Sequence, residues 1–290
     1  SGSTYTSKSY MWNSNQASKA GSTSTLISSI TNNTNDAINY TYDDNGNIET
    51  ISEGTTQKAR YYYDSLNQLV RENNLYNNKT IVYTYDNGGN ILSKIEYAYT
   101  TNDILGTPTN TVNYGYTNAN WKDLLTNFNG QTITYDAIGN PLQYRGGYNF
   151  TWQNGRQLAT VTNTGENISY TYDVDGTRTS KTVNGITTNY YVMDGVLYGE
   201  QTGNNSISYL YDEKGNKYGM IYNQNGTESY YYYVYNAQGD VIGIIDSSGS
   251  TVVEYTYDAW GNILSTTGSL ATTIGTANPI RYRGYYYDAE

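Results

Sequence analysis

The feature that most constrains this chain is a short phrase that keeps returning, aromatic-x-Tyr-Asp-x-x-Gly-Asn-Ile/Leu. It reads Tyr40-Thr41-Tyr42-Asp43-Asp44-Asn45-Gly46-Asn47-Ile48 and again Tyr83-Thr84-Tyr85-Asp86-Asn87-Gly88-Gly89-Asn90-Ile91. Further copies are Tyr135-Asp136 with Gly139-Asn140, and Tyr257-Asp258 with Gly261-Asn262-Ile263. Looser copies fall at Tyr63-Asp64, Tyr172-Asp173 with Gly176, Tyr211-Asp212 with Gly215-Asn216, and Tyr235-Asn236 with Gly239-Asp240. Trp152-Gln153-Asn154-Gly155-Arg156 is a degenerate copy. Where copies are consecutive their tyrosines lie roughly 21–22 residues apart, a period that belongs to repeat architectures. The wider gap from Tyr85 to Tyr135 contains Thr100 to Asn110, read as a longer loop.

One copy reads physically as a β-hairpin. In Ile38-Asn39-Tyr40-Thr41-Tyr42 alternate side chains share a face, so Tyr40 and Tyr42 lie together. Asp43 opens a four-residue turn in which its carboxylate can accept backbone N–H groups ahead of it. Gly46 falls where a type I turn followed by a bulge needs positive φ, and Ile48 starts the return strand. A hairpin of this size is not stable alone in water, whereas stacked neighbours bury a shared face and add stability term by term. The expected fold class is therefore all-β: one continuous, twisted antiparallel sheet of stacked hairpins, curved, with no helix of consequence. The Ser/Thr/Asn-rich stretch 1–35 reads as an irregular cap or frayed segment, and the repeat array as residues 36–277.

Composition supports β-structure through one residue type. The chain has 37 Tyr, and each ring can bury on the order of 150–250 Å² while its hydroxyl stays hydrogen-bonded. A net charge of −10 argues against the clustered basic surface that nucleic acid requires, and no apolar run reaches the roughly 18 residues of a membrane span. There is no Cys and no His, so Ser-His and Cys-His nucleophile pairs and imidazole or thiolate metal sites are excluded. Paired carboxylates could still hydrolyse glycosides, but nearly every Asp already has a turn role, so no catalytic, cofactor or metal residue is assigned. Asp173-Val174-Asp175-Gly176 faintly resembles a calcium loop and lacks the closing Glu, so it reads as a turn.

The aromatic clusters Tyr61-Tyr62-Tyr63, Tyr230 to Tyr233 and Tyr285 to Tyr287 place rings on both faces of their strands. Cross-strand pairing is their favoured role, and stacking against sugar rings or cargo the other. Trp121, Trp152 and Trp260 are the candidate ligand-stacking residues, with Trp12 open to the same two readings; Trp260, inside a turn, is expected to be exposed.

The repeated Tyr-Asp-x-x-Gly-Asn unit, with Trp121-Lys122-Asp123-Leu124-Leu125 and Tyr135 to Leu142, resembles the YD repeats of the Rhs family, in a clostridial or bacillar form. The stretch 278–290, Asn278-Pro279-Ile280-Arg281-Tyr282-Arg283-Gly284-Tyr285-Tyr286-Tyr287-Asp288-Ala289-Glu290, resembles the truncated start of the Rhs-associated core. The resemblance covers nearly the whole chain from about residue 36. It implies a spiralling β-sheet that forms part of a hollow shell. In polymorphic toxins such a shell surrounds a C-terminal toxin, and in teneurins a similar shell belongs to an adhesion molecule. The implied partners are a toxin cargo and flanking shell repeats in a parent protein that is secreted or on the bacterial surface. The implied function is that of a non-enzymatic scaffold. A carbohydrate-binding or adhesive module on cell-wall or surface glycans is the alternative reading, and exposed sheet edges could also pair copies of the chain.

Overall fold

The computed structural model describes residues 6–12, 23–32 and 37–290. These residues are almost entirely antiparallel strand, joined by one four-residue helix, Ile274–Ala277, and 3₁₀ turns at Arg145–Gly147 and Tyr282–Gly284. Among the described residues the strands form an 11-stranded and a 14-stranded sheet, each with its strands in chain order. The first runs from Thr6–Trp12 to Gln131–Thr132, and the second from Thr134–Tyr135 to Ile263–Thr267. Sequential order is what an array of hairpins produces, since each strand pairs with the one before and the one after it. The division between the sheets falls at Ile133, which is buried and donates its N–H to the Thr126 carbonyl. The flanking strands Asn127–Phe128, Gln131–Thr132 and Thr134–Tyr135 have two residues each, too few to carry a ladder through that point.

Within the Ser/Thr/Asn-rich start, Thr6–Trp12 pairs antiparallel with Thr23–Asn32. Ile30, fully buried, packs in a cluster with Tyr40, Ile51 and Ala59. The remainder of that segment, residues 1–5, 13–22 and 33–35, lies outside the described residues, as does the side chain of Trp12.

The chain divides into two compact units: Ser1–Tyr85 with Ser93–Thr111 and Tyr232–Glu290, and Asp86–Leu92 with Val112–Tyr231. The first has a core of Ile30, Tyr40, Ile81, Tyr83, Val241, Ile244, Val253, Tyr255 and Ile280; the second buries Val161, Ile168, Tyr190, Ile207, Tyr209 and Met220. In both, strand alternation sorts the repeat. Tyr40 faces inward, while Thr41 between the two tyrosines faces out and shares a 2.7 Å hydroxyl contact with Thr50 across the hairpin. Thr84 with Ser93, Thr151 with Thr160 and Thr256 with Ser265 repeat that outer pair. Residues 99–109 form the irregular connection after Ile91–Ala98, and Arg71 pins it by donating to the Thr100 and Asn102 carbonyls.

Candidate functional site

Each Tyr-Asp turn shares one pair of bonds, two backbone N–H groups accepted by a single carboxylate oxygen, and several add a side-chain amide on the other oxygen. Asp43 Oδ1 accepts the N–H groups of Asn45 and Asn47 at 3.0 and 2.8 Å, and Oδ2 accepts the Asn47 side-chain amide at 2.9 Å. Gly46, at φ 85°, donates to the Asp43 carbonyl, and Asp43 N–H donates to the Asn47 carbonyl. The carboxylate at Asp64 accepts the N–H groups of Leu66 and Gln68, Asp86 those of Gly88 and Asn90, and Asp136 those of Ile138 and Asn140. Asp173, Asp212 and Asp258 do the same with Asp175 and Thr177, Lys214 and Asn216, and Trp260 and Asn262. The positive-φ glycines there are Gly89, Gly139, Gly176, Gly215 and Gly261; at the Asp64 turn the position is filled by Asn67 at φ 61°. Asn236 takes the Asp position before Gly239, accepting from Gln238 and Asp240.

These bonds favour the ionised carboxylate. The Asn90 and Asn216 amides, followed by backbone N–H groups, hold Asp86 and Asp212 below the ordinary carboxylate range. At Asp43 and Asp136 partial desolvation pushes upward, yet the combined donors still hold the group low. One further turn escapes the motif: Asp246 accepts from Ser248 and Ser250, with Gly249 at φ 85°. It follows Ile245 instead of a tyrosine, so the only sequence signal was the Asp-x-x-Gly-x spacing.

The tyrosine beside each Asp fastens its hairpin to the one before. Tyr63 donates its hydroxyl to the carbonyl of Ile48, the first residue of the return strand in the preceding repeat. Tyr85 likewise donates to the carbonyl of Leu69, Tyr172 to Leu158, Tyr211 to Leu197 and Tyr257 to Val241, and Tyr116, which precedes Thr117 and no Asp, donates to Ile91. Tyr42 donates to Ile27 and Tyr135 to Leu125. Burial pushes the Tyr63 and Tyr85 hydroxyls up to about 12, so at neutral pH they remain donors. In the degenerate copy Trp152 takes this place: its ring N–H donates to the Pro141 carbonyl at 2.7 Å. Trp152 is thus engaged in the repeat contact.

The other candidate rings also have local partners. Trp121 covers the Asp136 turn so closely that a Cβ on Gly139 would stand 2.4 Å from its ring. Trp260 is about half exposed, with its remaining face edge-on to Tyr83 at 5.8 Å. Tyr62 lies under the guanidinium groups of Arg60 and Arg71, and Tyr231 and Tyr233 are buried while Tyr230 is exposed. Among the described residues there is no cluster of three or more Asp or Glu that could hold a metal ion, and no helix is long and apolar enough to cross a membrane.

In the first unit, early and late repeats meet. The Tyr40 hydroxyl accepts the Ala237 N–H at 3.2 Å, and Lys94 Nζ lies 3.6 Å from Asp258 Oδ2. The stretch that follows is anchored there: Asn278 is fully buried and joined to Tyr233, and Arg281 donates to the carbonyls of Asn278 and Gly275. Asp240 Oδ1 accepts the N–H of Arg283, which is held at φ 54°. The arrangement is one of mutual fastening between hairpins, with turn carboxylates occupied by backbone donors.

A family model described as RHS Repeat matches residues 235–273. Over 244 residues the chain is 40% identical to a Bacillus spizizenii protein named tRNA3(Ser)-specific nuclease WapA, covering 79% of this chain and 9% of that protein. It is 38% identical over 243 residues to the tRNA nuclease WapA of Bacillus subtilis, with the same coverage. The chain therefore spans about a tenth of these relatives. Among solved structures it is similar to a chain of the TcdB2-TccC3-Cdc42 crystal structure, with TM-score 0.71, 19% identity, and coverage of 98% of this chain and 16% of that one. It is likewise similar to a chain of the Photorhabdus luminescens Tc holotoxin pore, with TM-score 0.66, 17% identity, and coverage of 98% of this chain and 16% of that one. At these identities the structural likeness is one of fold.

Proposed function

This chain belongs to the Rhs, or YD-repeat, family, and from that premise we propose that it is a wall segment of a β-shell that encloses a C-terminal toxin in a longer secreted or surface protein. The repeat region is a structural scaffold, and its mechanism is passive: a sheet of mutually fastened hairpins separates cargo from solvent. The observation that supports this reading best is the chain of Tyr hydroxyl bonds, each tying a hairpin to its predecessor. A wall needs this property, because a hairpin that detached singly would leave a gap. The relatives named as nucleases are consistent with a cargo that carries the chemistry outside this segment.

Limited proteolysis of the parent protein tests the reading. A downstream segment that stays resistant while the shell is native, and is digested once the shell is unfolded, supports enclosure. Immediate digestion of that segment beside intact repeats overturns it.

Exposed Tyr191, Tyr198 and Tyr218 favour a second reading, adhesion to glycans through ring stacking. Titration with cell-wall glycans, followed by tyrosine and tryptophan emission, checks it; no change at millimolar sugar removes it.

A further inference from the structure

Glu72, on the strand Leu69–Asn74, has none of its surface exposed. Its Oε1 accepts the Tyr83 hydroxyl at 2.8 Å, while Oε2 is buried without a well-formed hydrogen bond. Tyr61 and Tyr63 face it from the strand Thr56–Tyr63, Tyr83 from Lys79–Tyr85 and Lys94 from Ile91–Ala98, with Asp258 added from the late repeat. The nearby positive charge is already divided. Lys94 Nζ stands 3.6 Å from both Glu96 Oε1 and Asp258 Oδ2, and Glu96 is also paired with Lys79. An ionised Glu72 would be a further carboxylate drawing on that one ammonium, in a site closed to water. It would also lie behind the Tyr83–Trp260 contact that joins the early repeat to the Asp258 turn.

We infer that the contact between the Tyr83–Lys94 repeat and the Asp258 turn is an acid-tightened clasp, with Glu72 as its proton-sensing group. Desolvation raises the Glu72 pKa above its ordinary 4.5, and the Asp258 charge adds to it; Tyr83, Asn74 and Lys94 oppose the shift without reversing it. The folded state therefore holds the proton more tightly than the unfolded chain. This stabilisation is fully present below the ordinary carboxylate value and is lost as pH rises through the raised value. Glu96 runs the other way. Burial alone would raise it, but the hydrogen bond and charge of Lys79, with Lys94, hold it low, so its stabilisation is lost on strong acidification. Together the two groups place the tightest clasp in mildly acidic solution and loosen it toward neutrality.

The test compares the full chain with Glu72→Gln, which keeps an oxygen for Tyr83 and cannot ionise. A protease active across the range digests both proteins from about pH 4.5 to 8, and mass spectrometry follows cleavage within residues 252–262. Because both proteins meet the same protease at each pH, the ratio of wild-type to variant rate cancels the protease's own pH dependence. The ratio is expected to climb by up to tenfold per pH unit above the ordinary carboxylate value and then level off. A flat ratio overturns the clasp. If Glu72→Gln does not fold, Tyr83→Phe decides: it removes a donor that favours ionisation, so its loosening must extend to higher pH than in wild type. An unchanged profile in that variant overturns the inference equally.

Discussion

The turns at Asp212 and Asp258 are the same object in two settings. In each, Oδ1 accepts two backbone N–H groups at 2.8–2.9 Å, and a glycine sits at positive φ. At Asp212 the turn is open to solvent, Oδ2 takes the Asn216 amide, and a Cβ on Gly215 would meet nothing within 4 Å. At Asp258 the carboxylate is buried, Oδ2 faces Lys94, and a Cβ on Gly261 would stand 2.4 Å from the Tyr282 ring. The motif specifies how the chain turns; the neighbour that arrives on the turn decides what the turn is used for.

Glycine substitutions should separate the two most sharply. Gly261→Ala combines left-handed strain with ring overlap and is expected to cost about 2–5 kcal/mol, against about 1–2 kcal/mol for Gly215→Ala, read from urea unfolding. Equal costs would break the comparison. Next in size, Asp258→Ala leaves two N–H groups without their acceptor and Lys94 with one partner fewer, a loss of about 2 kcal/mol. Asp212→Ala, where water can replace the carboxylate, should move the urea midpoint less. Removing the fastening donor by Tyr211→Phe should cost about 1 kcal/mol, and Trp152→Phe, which takes away ring volume with the N–H, should cost more. The smallest effect is acid sensitivity of single turns. Asp86 and Asp212 have depressed pKa values, so their contribution is present above the ordinary 3.8 and lost as pH falls through the lowered value. Asp212→Asn should flatten that part of the acid titration slightly.

The hairpins were legible because their signals are local. Alternation puts Tyr40 and Tyr42 on one face, and Asp43 to Gly46 carries its own turn chemistry in adjacent residues. The outer Thr41–Thr50 pair follows from the same register. Trp152 could be placed by spacing, yet its role depends on Pro141 in the preceding hairpin, and sequence alone left it open as a stacking residue. The Asp246 turn was missed because the tyrosine that marks the others is replaced by Ile245. Glu72 had no signal at all. In Leu69-Val70-Arg71-Glu72-Asn73 it looks like a solvated strand residue, and its surroundings include Asp258, far along the chain. Local pattern fixes strands and turns; long-range contact fixes burial and charge.

Native-state hydrogen exchange on Tyr211→Phe shows whether each hairpin is held by its neighbour through the repeat tyrosine. If it is, protection falls at the amides around Leu197, in the preceding hairpin, as well as around Tyr211 itself. Loss confined to the hairpin that carries the substitution, with the Leu197 region unchanged, would contradict it.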